Sequence, residues 1–320
     1  LTASAAGFGT GLGVPLSPMA DDPLGDVAVL TPPISTPDFL VAAVTWTGQL
    51  PADARIFIRV LEGDEWSNWL EVLEDEGGPD GAGTISGTDP FLTGGADAVQ
   101  IQITGNAAAM PADLNLSLIP ANPDPVATDV VTEAPAEEPD VFPTEDPTVP
   151  AEELATAQPS ATWSQPVVTT ARYQVPQLLR RPGQLLPELT LEQAQERVSP
   201  LPGAAPVAPP IISRAEWGAD PALMTWRPTY ADLRATVIHH TAGTNTYGPT
   251  QSASIVRGIY YYHAVTRGWG DIGYNFLVDQ YGQIFEGRTN SISSPNGTMV
   301  VGGHARPTNT GTIGISAMGN

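Results

Sequence analysis

Residues 122–205 constrain this chain most. Pro, Ala, Glu, Thr and Val dominate there, as in Glu133-Ala-Pro-Ala-Glu-Glu-Pro-Asp140, and aromatics are scarce. Such sequence buries too little apolar area to offset the entropy of ordering, so it reads as a disordered, acidic Pro/Ala-rich linker. Foldable sequence lies on either side, and the 320-residue chain is expected to be multidomain. The expected divisions are a signal remnant or flexible N-terminus over 1–21, a β module over 22–121, the linker, and a second domain over 206–320. Late in the linker, Thr190-Leu-Glu-Gln-Ala-Gln-Glu-Arg-Val198 has the pattern of a short capped helix, or of a segment that docks on a neighbour.

The formal charge is −22, and all 13 basic residues are Arg. From Ile211 onward seven Arg face six Asp and Glu, so nearly all the acidity precedes that point. An excess of negative charge argues against a nucleic-acid partner, which needs cationic surface facing phosphates. It suits a secreted, soluble, extracellular protein. The opening residues, with Ala3-Ser4-Ala5, read as the tail of a secretory signal or as an arbitrary starting point. There is no cysteine, so no disulfide contributes. No apolar run is long enough to span a bilayer, so no membrane span is expected.

Residues 22–121 read as all-β. Phe39-Leu-Val-Ala-Ala-Val-Thr-Trp46, Ala54-Arg-Ile-Phe-Ile-Arg-Val60 and Ala98-Val-Gln-Ile-Gln-Ile-Thr104 are β-branched and aromatic runs, the last strictly alternating. Gly-rich clusters, among them Gly77-Gly-Pro-Asp-Gly81, punctuate them as turns. This spacing predicts a sandwich or jelly roll. Trp46, Trp66 and Trp69 are read as core fillers in preference to a sugar-stacking platform.

The second domain alternates strands with a helix. Ser213 and Glu216 have capping-box or tight-turn spacing. Thr236-Val-Ile-His-His-Thr241 reads as a strand, residues 252–267 as a helix ended by Gly268, and residues 274–278 and 283–286 as a hairpin. With the strand Thr312-Ile-Gly-Ile-Ser-Ala-Met318, these elements predict an α/β domain with a mixed sheet and helices. The sequence stops at the end of that strand with no closing helix, so the domain is expected to be incomplete. His239 and His240 lie on opposite faces of their strand, and periodicity does not choose which one enters a cleft. His263 shares a helix face with Ile255, Ile259 and, four residues on, Arg267, which suits either core packing or two contacts to one ligand.

Six segments occur in order: Ile212-Ser-Arg-Ala-Glu-Trp-Gly-Ala219, Val237-Ile-His-His-Thr241, Gly268-Trp-Gly-Asp-Ile-Gly-Tyr-Asn-Phe276, Ile284-Phe-Glu-Gly-Arg288, Gly302-Gly-His-Ala305 and Ile313-Gly-Ile-Ser316. Together they resemble the type 2 N-acetylmuramoyl-L-alanine amidase and peptidoglycan recognition protein family. The all-β part resembles a module that precedes amidase domains in secreted actinobacterial wall enzymes. The resemblance implies a Zn2+ hydrolase acting on peptidoglycan at the bond between N-acetylmuramic acid and the L-Ala of the stem peptide. It also implies His239 as a zinc ligand, Tyr274 as the catalytic assistant, and His263, Arg267, His304 and Asn309 as the substrate groove. The family's later ligands, a His with a Cys or Asp, are expected beyond residue 320. The alternative is a recognition module that binds peptidoglycan without cutting it.

Overall fold

Two long strands organise the N-terminal half, because each is interrupted where its sequence cannot continue a ladder. A computed structural model describes residues 12–15, 27–80, 85–121, 189–196 and 209–320. The expected N-terminal signal site and most of the expected linker lie outside these residues. The strands are β1 Leu12–Pro15, β2 Val27–Leu30, β3 Ile34–Thr47, β4 Arg55–Glu62, β5 Glu65–Trp66, β6 Leu70–Val72, β7 Ile85–Gly87, β8 Phe91–Thr104 and β9 Asn115–Ile119.

The β3–β8 register shifts between Ser35 and Phe39, where Pro37 has no N–H to donate. A second shift follows between Phe39 and Val41, and on β8 it contains Gly95, with a φ of +115° that an L side chain rarely adopts. Each long strand thereby changes partners: β3 serves β8, β9 and β7, and β8 serves β3, β4 and β2. The expected all-β module is thus present, its strands joined in one branched hydrogen-bonded sheet around a core that includes Val44, Trp46, Ile58, Val99, Ile101 and Leu116. Trp46 is buried as expected, but Trp66 and Trp69 are only half-buried and bracket the Arg59 guanidinium at 4.9 and 4.7 Å.

The C-terminal half contains α1 Leu191–Glu196, β10 Tyr230–Asp232, β11 Ala235–His240, β12 Ala242–Gly243, α2 Ser252–Tyr261, β13 Phe276–Val278, β14 Ile284–Glu286, β15 Thr298–Val300 and β16 Thr312–Ala317. Its main sheet runs β11-β16-β13-β14, parallel except for the β13–β14 hairpin, so the mixed sheet matches expectation. Ser213 and Glu216 form the expected reciprocal turn, with the Ser213 N–H and hydroxyl both donating to Glu216 Oε2 at 2.7 Å. Part of the presumed linker is folded: Thr190 and Gln193 cap α1 reciprocally, and Leu189 docks against Tyr230.

The two halves share a core. Helix α2 turns Ile255, Ile259 and Tyr262 onto Leu40, Val41, Ala43 and Leu92 of the β module. Each fully buried Ile contributes about 1.5–3 kcal/mol. Beside it β12 adds a parallel strand to β8, and Gln251 donates to the Gly94 carbonyl at 2.6 Å. Gly258 allows the close approach, since a Cβ there would stand 2.6 Å from Val41 Cγ2. The Gly258→Leu variant is expected to lose about 1–3 kcal/mol by overpacking. Urea denaturation should show one transition shifted for both halves. Two separate transitions would mean that the halves do not share this core.

Candidate functional site

The site forms where helix α2 ends. Beyond Tyr261 the helix widens into a π-helical turn over Tyr262–Thr266 and stops at Gly268, whose φ of +67° suits glycine. That last turn carries His263 and Arg267 into the same buried layer, at 0% and 4% exposure. The Trp269 indole stacks on the His263 ring with centroids 4.5 Å apart.

His239, from β11, is the histidine of the pair that turns inward, whereas His240 is exposed and engages its neighbouring Thr241 carbonyl. His239 Nε2 lies 2.9 Å from His304 Nδ1, a hydrogen bond between rings. The Tyr274 ring stands 5.4 Å from both His239 and His263. Glycine makes room for His304: a Cβ on Gly314 would fall inside its ring. Asn309 is buried and fully committed. Its Oδ1 accepts from the N–H groups of His304 and Ala305, and its Nδ2 donates to the Gly78 carbonyl and to Asp80. All six residues singled out in the sequence therefore lie in one cluster, brought together by β11, the end of helix α2, the segment before β13 and the loop between β15 and β16.

Burial sets the protonation states. It lowers the His239 imidazole, with His240 adding repulsion. It lowers His304 to about 4, with His239 adding to the effect. His263 is pushed well below its ordinary value by burial, then by Arg267 and Arg288. Burial raises the Tyr274 phenol well above its usual range, with Asp75 and Asp89 adding to it. Near neutral pH the site holds neutral imidazoles and a protonated phenol. Such a set can hold or pass a proton and can donate a hydrogen bond to a developing oxyanion.

One side of this cluster is covered by residues 75–80 of the β module. Asp75 Oδ2 lies 3.2 Å from Arg267 Nη1 and 3.7 Å from His263 Nε2. The Gly78 N–H donates to the Gly303 carbonyl at 2.9 Å, and the Gly78 backbone lies against the Trp269 indole. Sequence reading took Gly77–Asp80 as part of a plain turn and passed over Asp75. An acidic stretch such as Glu74-Asp75-Glu76 carries no local sign of a partner that is 192 residues away.

No three His, Cys, Asp or Glu side chains converge on one point among the described residues. His239 and His304 bring two imidazole nitrogens together, one short of the three protein ligands of a catalytic zinc site. The described residues do not by themselves fit the metal.

Residues 229–320 match the family described as N-acetylmuramoyl-L-alanine amidase. This part of the chain is therefore similar to the amidase and peptidoglycan recognition proteins. Residues 11–139 match a second family, described as Rv3811 N-terminal galactose-binding domain-like, which answers to the all-β module. Peptidoglycan recognition protein 1 of Bos taurus is 39% identical over 119 residues, covering 37% of this chain and 58% of its own length. Peptidoglycan-recognition protein SC2 of Drosophila melanogaster is 43% identical over 113 residues, covering 34% and 55%. The chain thus spans little more than half the length of these curated relatives (58% and 55%). Among solved structures, Drosophila peptidoglycan recognition protein SD is 29% identical, covering 35% of this chain and 61% of its own, with a TM-score of 0.29.

Burial pushes the Asp89 carboxyl up to about 7, with Asp75 adding to it and Arg267 opposing. The folded value lies above the ordinary 3.8, so the protonated acid favours the fold. That contribution is complete below about pH 4 and is lost as pH rises to about 7. Asp89→Asn is therefore expected to stabilise the protein at pH 8 relative to its effect at pH 4, by on the order of 2–4 kcal/mol. Thermal melts of both forms at the two pH values check this. An equal shift at both would refute it.

Proposed function

We propose that this chain acts on peptidoglycan, as the recognition and proton-handling part of a zinc-dependent N-acetylmuramoyl-L-alanine amidase. The observation that carries the reading is the convergence of His239, Tyr274, His263, Arg267, His304 and Asn309 on one buried surface. The match of residues 229–320 to the amidase family supports it. A peptidoglycan substrate puts the protein outside the cell membrane, secreted or held in the wall. Among the described residues no helix is long and apolar enough to cross a membrane.

Each residue has a role its chemistry suits. Tyr274, held protonated, donates to the oxygen that gains charge as the amide carbonyl becomes tetrahedral. Arg267 takes a carboxylate of the stem peptide, while His263 Nε2 and Asn309 Nδ2 supply donors along the groove. His239 is the residue assigned to zinc, and the metal when bound would polarise the carbonyl and acidify a water. The ligand set is incomplete among the described residues, where only His239 and His304 bring imidazole nitrogens together.

That incomplete set favours one further reading, a recognition protein that binds muropeptides without cleaving them. Two measurements on one preparation separate the readings: zinc content, and release of free stem peptide from a soluble muropeptide. The hydrolase reading expects bound zinc, release that stops on chelation, and at least about a hundredfold slower release by Tyr274→Phe. Muropeptide binding with neither zinc nor release would sink it and leave the recognition protein.

A further inference from the structure

We propose that residues 75–80 form an internal occupant of the groove, a strap that a stem peptide must displace before it binds. The inference rests on the peptidoglycan reading of the site and names its regulation.

The strap presents the chemistry of an acidic, extended peptide. Its Asp75 carboxylate faces Arg267 Nη1 at 3.2 Å. Its Gly78 N–H donates to the Gly303 carbonyl at 2.9 Å, and its Gly78 carbonyl accepts from Asn309 Nδ2 at 2.8 Å. The Asp80 carboxylate accepts from the same amide nitrogen at 2.6 Å. Gly77 and Gly78 leave the backbone close to Trp269, where a Cβ on Gly77 would come within 3.1 Å of the indole. Arg267, Asn309 and Trp269 therefore receive an anionic main chain, supplied by the protein itself.

The fit is imperfect in one informative place. His263 Nδ1 accepts from the Gly273 N–H at 3.2 Å, which leaves the proton of the neutral ring on Nε2. That Nε2 is fully buried and has no hydrogen-bond partner, with Asp75 Oδ2 at 3.7 Å, too far to accept. An unpaired buried donor is costly, so a ligand whose acceptor reaches both Arg267 and His263 gains what the strap leaves unmade. The strap is held at its start by the Asp75 N–H on the Gly87 carbonyl and by the Glu74–Thr88 bridge, while Asp80 is exposed. This arrangement suits release from the Asp80 end. Occupancy by the strap reduces apparent affinity by the fraction of molecules that are open.

Amide hydrogen exchange at Gly78, with and without a saturating N-acetylmuramoyl tripeptide, tests the proposal in the intact chain. Displacement predicts protection at Gly78 with no ligand and faster exchange when the muropeptide is bound. Asp80→Ala, an exposed change that spares the core, should open the strap and tighten muropeptide binding by about tenfold. Asp75→Asn should act in the same direction if it folds, and Asp80→Ala suffices if it does not. Muropeptide binding that leaves Gly78 protected, or affinity that stays equal or falls in Asp80→Ala, would overturn the proposal and make the strap a fixed wall. Failure of every form to bind muropeptide would instead remove the peptidoglycan reading, and the strap inference with it.

Discussion

A guanidinium buried at 4% exposure needs a carboxylate, and the contact between Arg267 and Asp75 supplies it across two halves of the chain. Neither charge is tolerable there alone, because taking an ion out of water costs several kcal/mol unless a partner and hydrogen bonds compensate. The Arg267 guanidinium also lies against the Trp269 and Tyr262 rings, at 4.5 and 5.8 Å, and donates to the Ile85 carbonyl. Much of the site follows from this pair. It holds the helix end in place, pulls the strap over the groove and sets the field felt by His263 and Tyr274.

The same burial keeps the imidazoles and the phenol of the site neutral. His239, His263 and His304 all lose basicity mainly through desolvation, and the Tyr274 phenol loses acidity for the same reason. Arg288 lies fully buried in the layer behind them, over the Trp226 ring at 3.6 Å, with burial lowering it to about 10. The cluster is thus a low-dielectric pocket, closed on one side by the β module. In such a medium a hydrogen bond to a developing charge is worth more than in water, and an unpaired donor such as His263 Nε2 costs more.

Much of this was legible residue by residue. Val237-Ile-His-His-Thr241 read as a strand and is one, over Ala235–His240. The helix stop at Gly268 and the β13–β14 hairpin follow from local turn chemistry. The all-β reading of the N-terminal module holds, while its strand partners were not legible: register shifts beside Pro37 and at Gly94-Gly95 let β3 and β8 change partners along their length. Trp66 and Trp69 misled as core residues, because apolar character does not tell an indole that fills a core from one that sandwiches an arginine.

The sequence by itself determined the elements and which residues were candidates for the site, since strand alternation, caps and ordered motifs are properties of short stretches. It left open which histidine of the pair turns inward, whether His263 is core or groove, and what Asp75 does. Tertiary structure decided all three. His239 faces His304 because β11 pairs with β16 in a register that sets His239 beside Ser316. His263 is buried, with the Asp75 carboxylate of the β module 3.7 Å from its Nε2. Asp75 acquires its role only when α2 packs on β3, a contact driven by non-directional burial of Ile and Val that leaves no mark on the residues around Asp75.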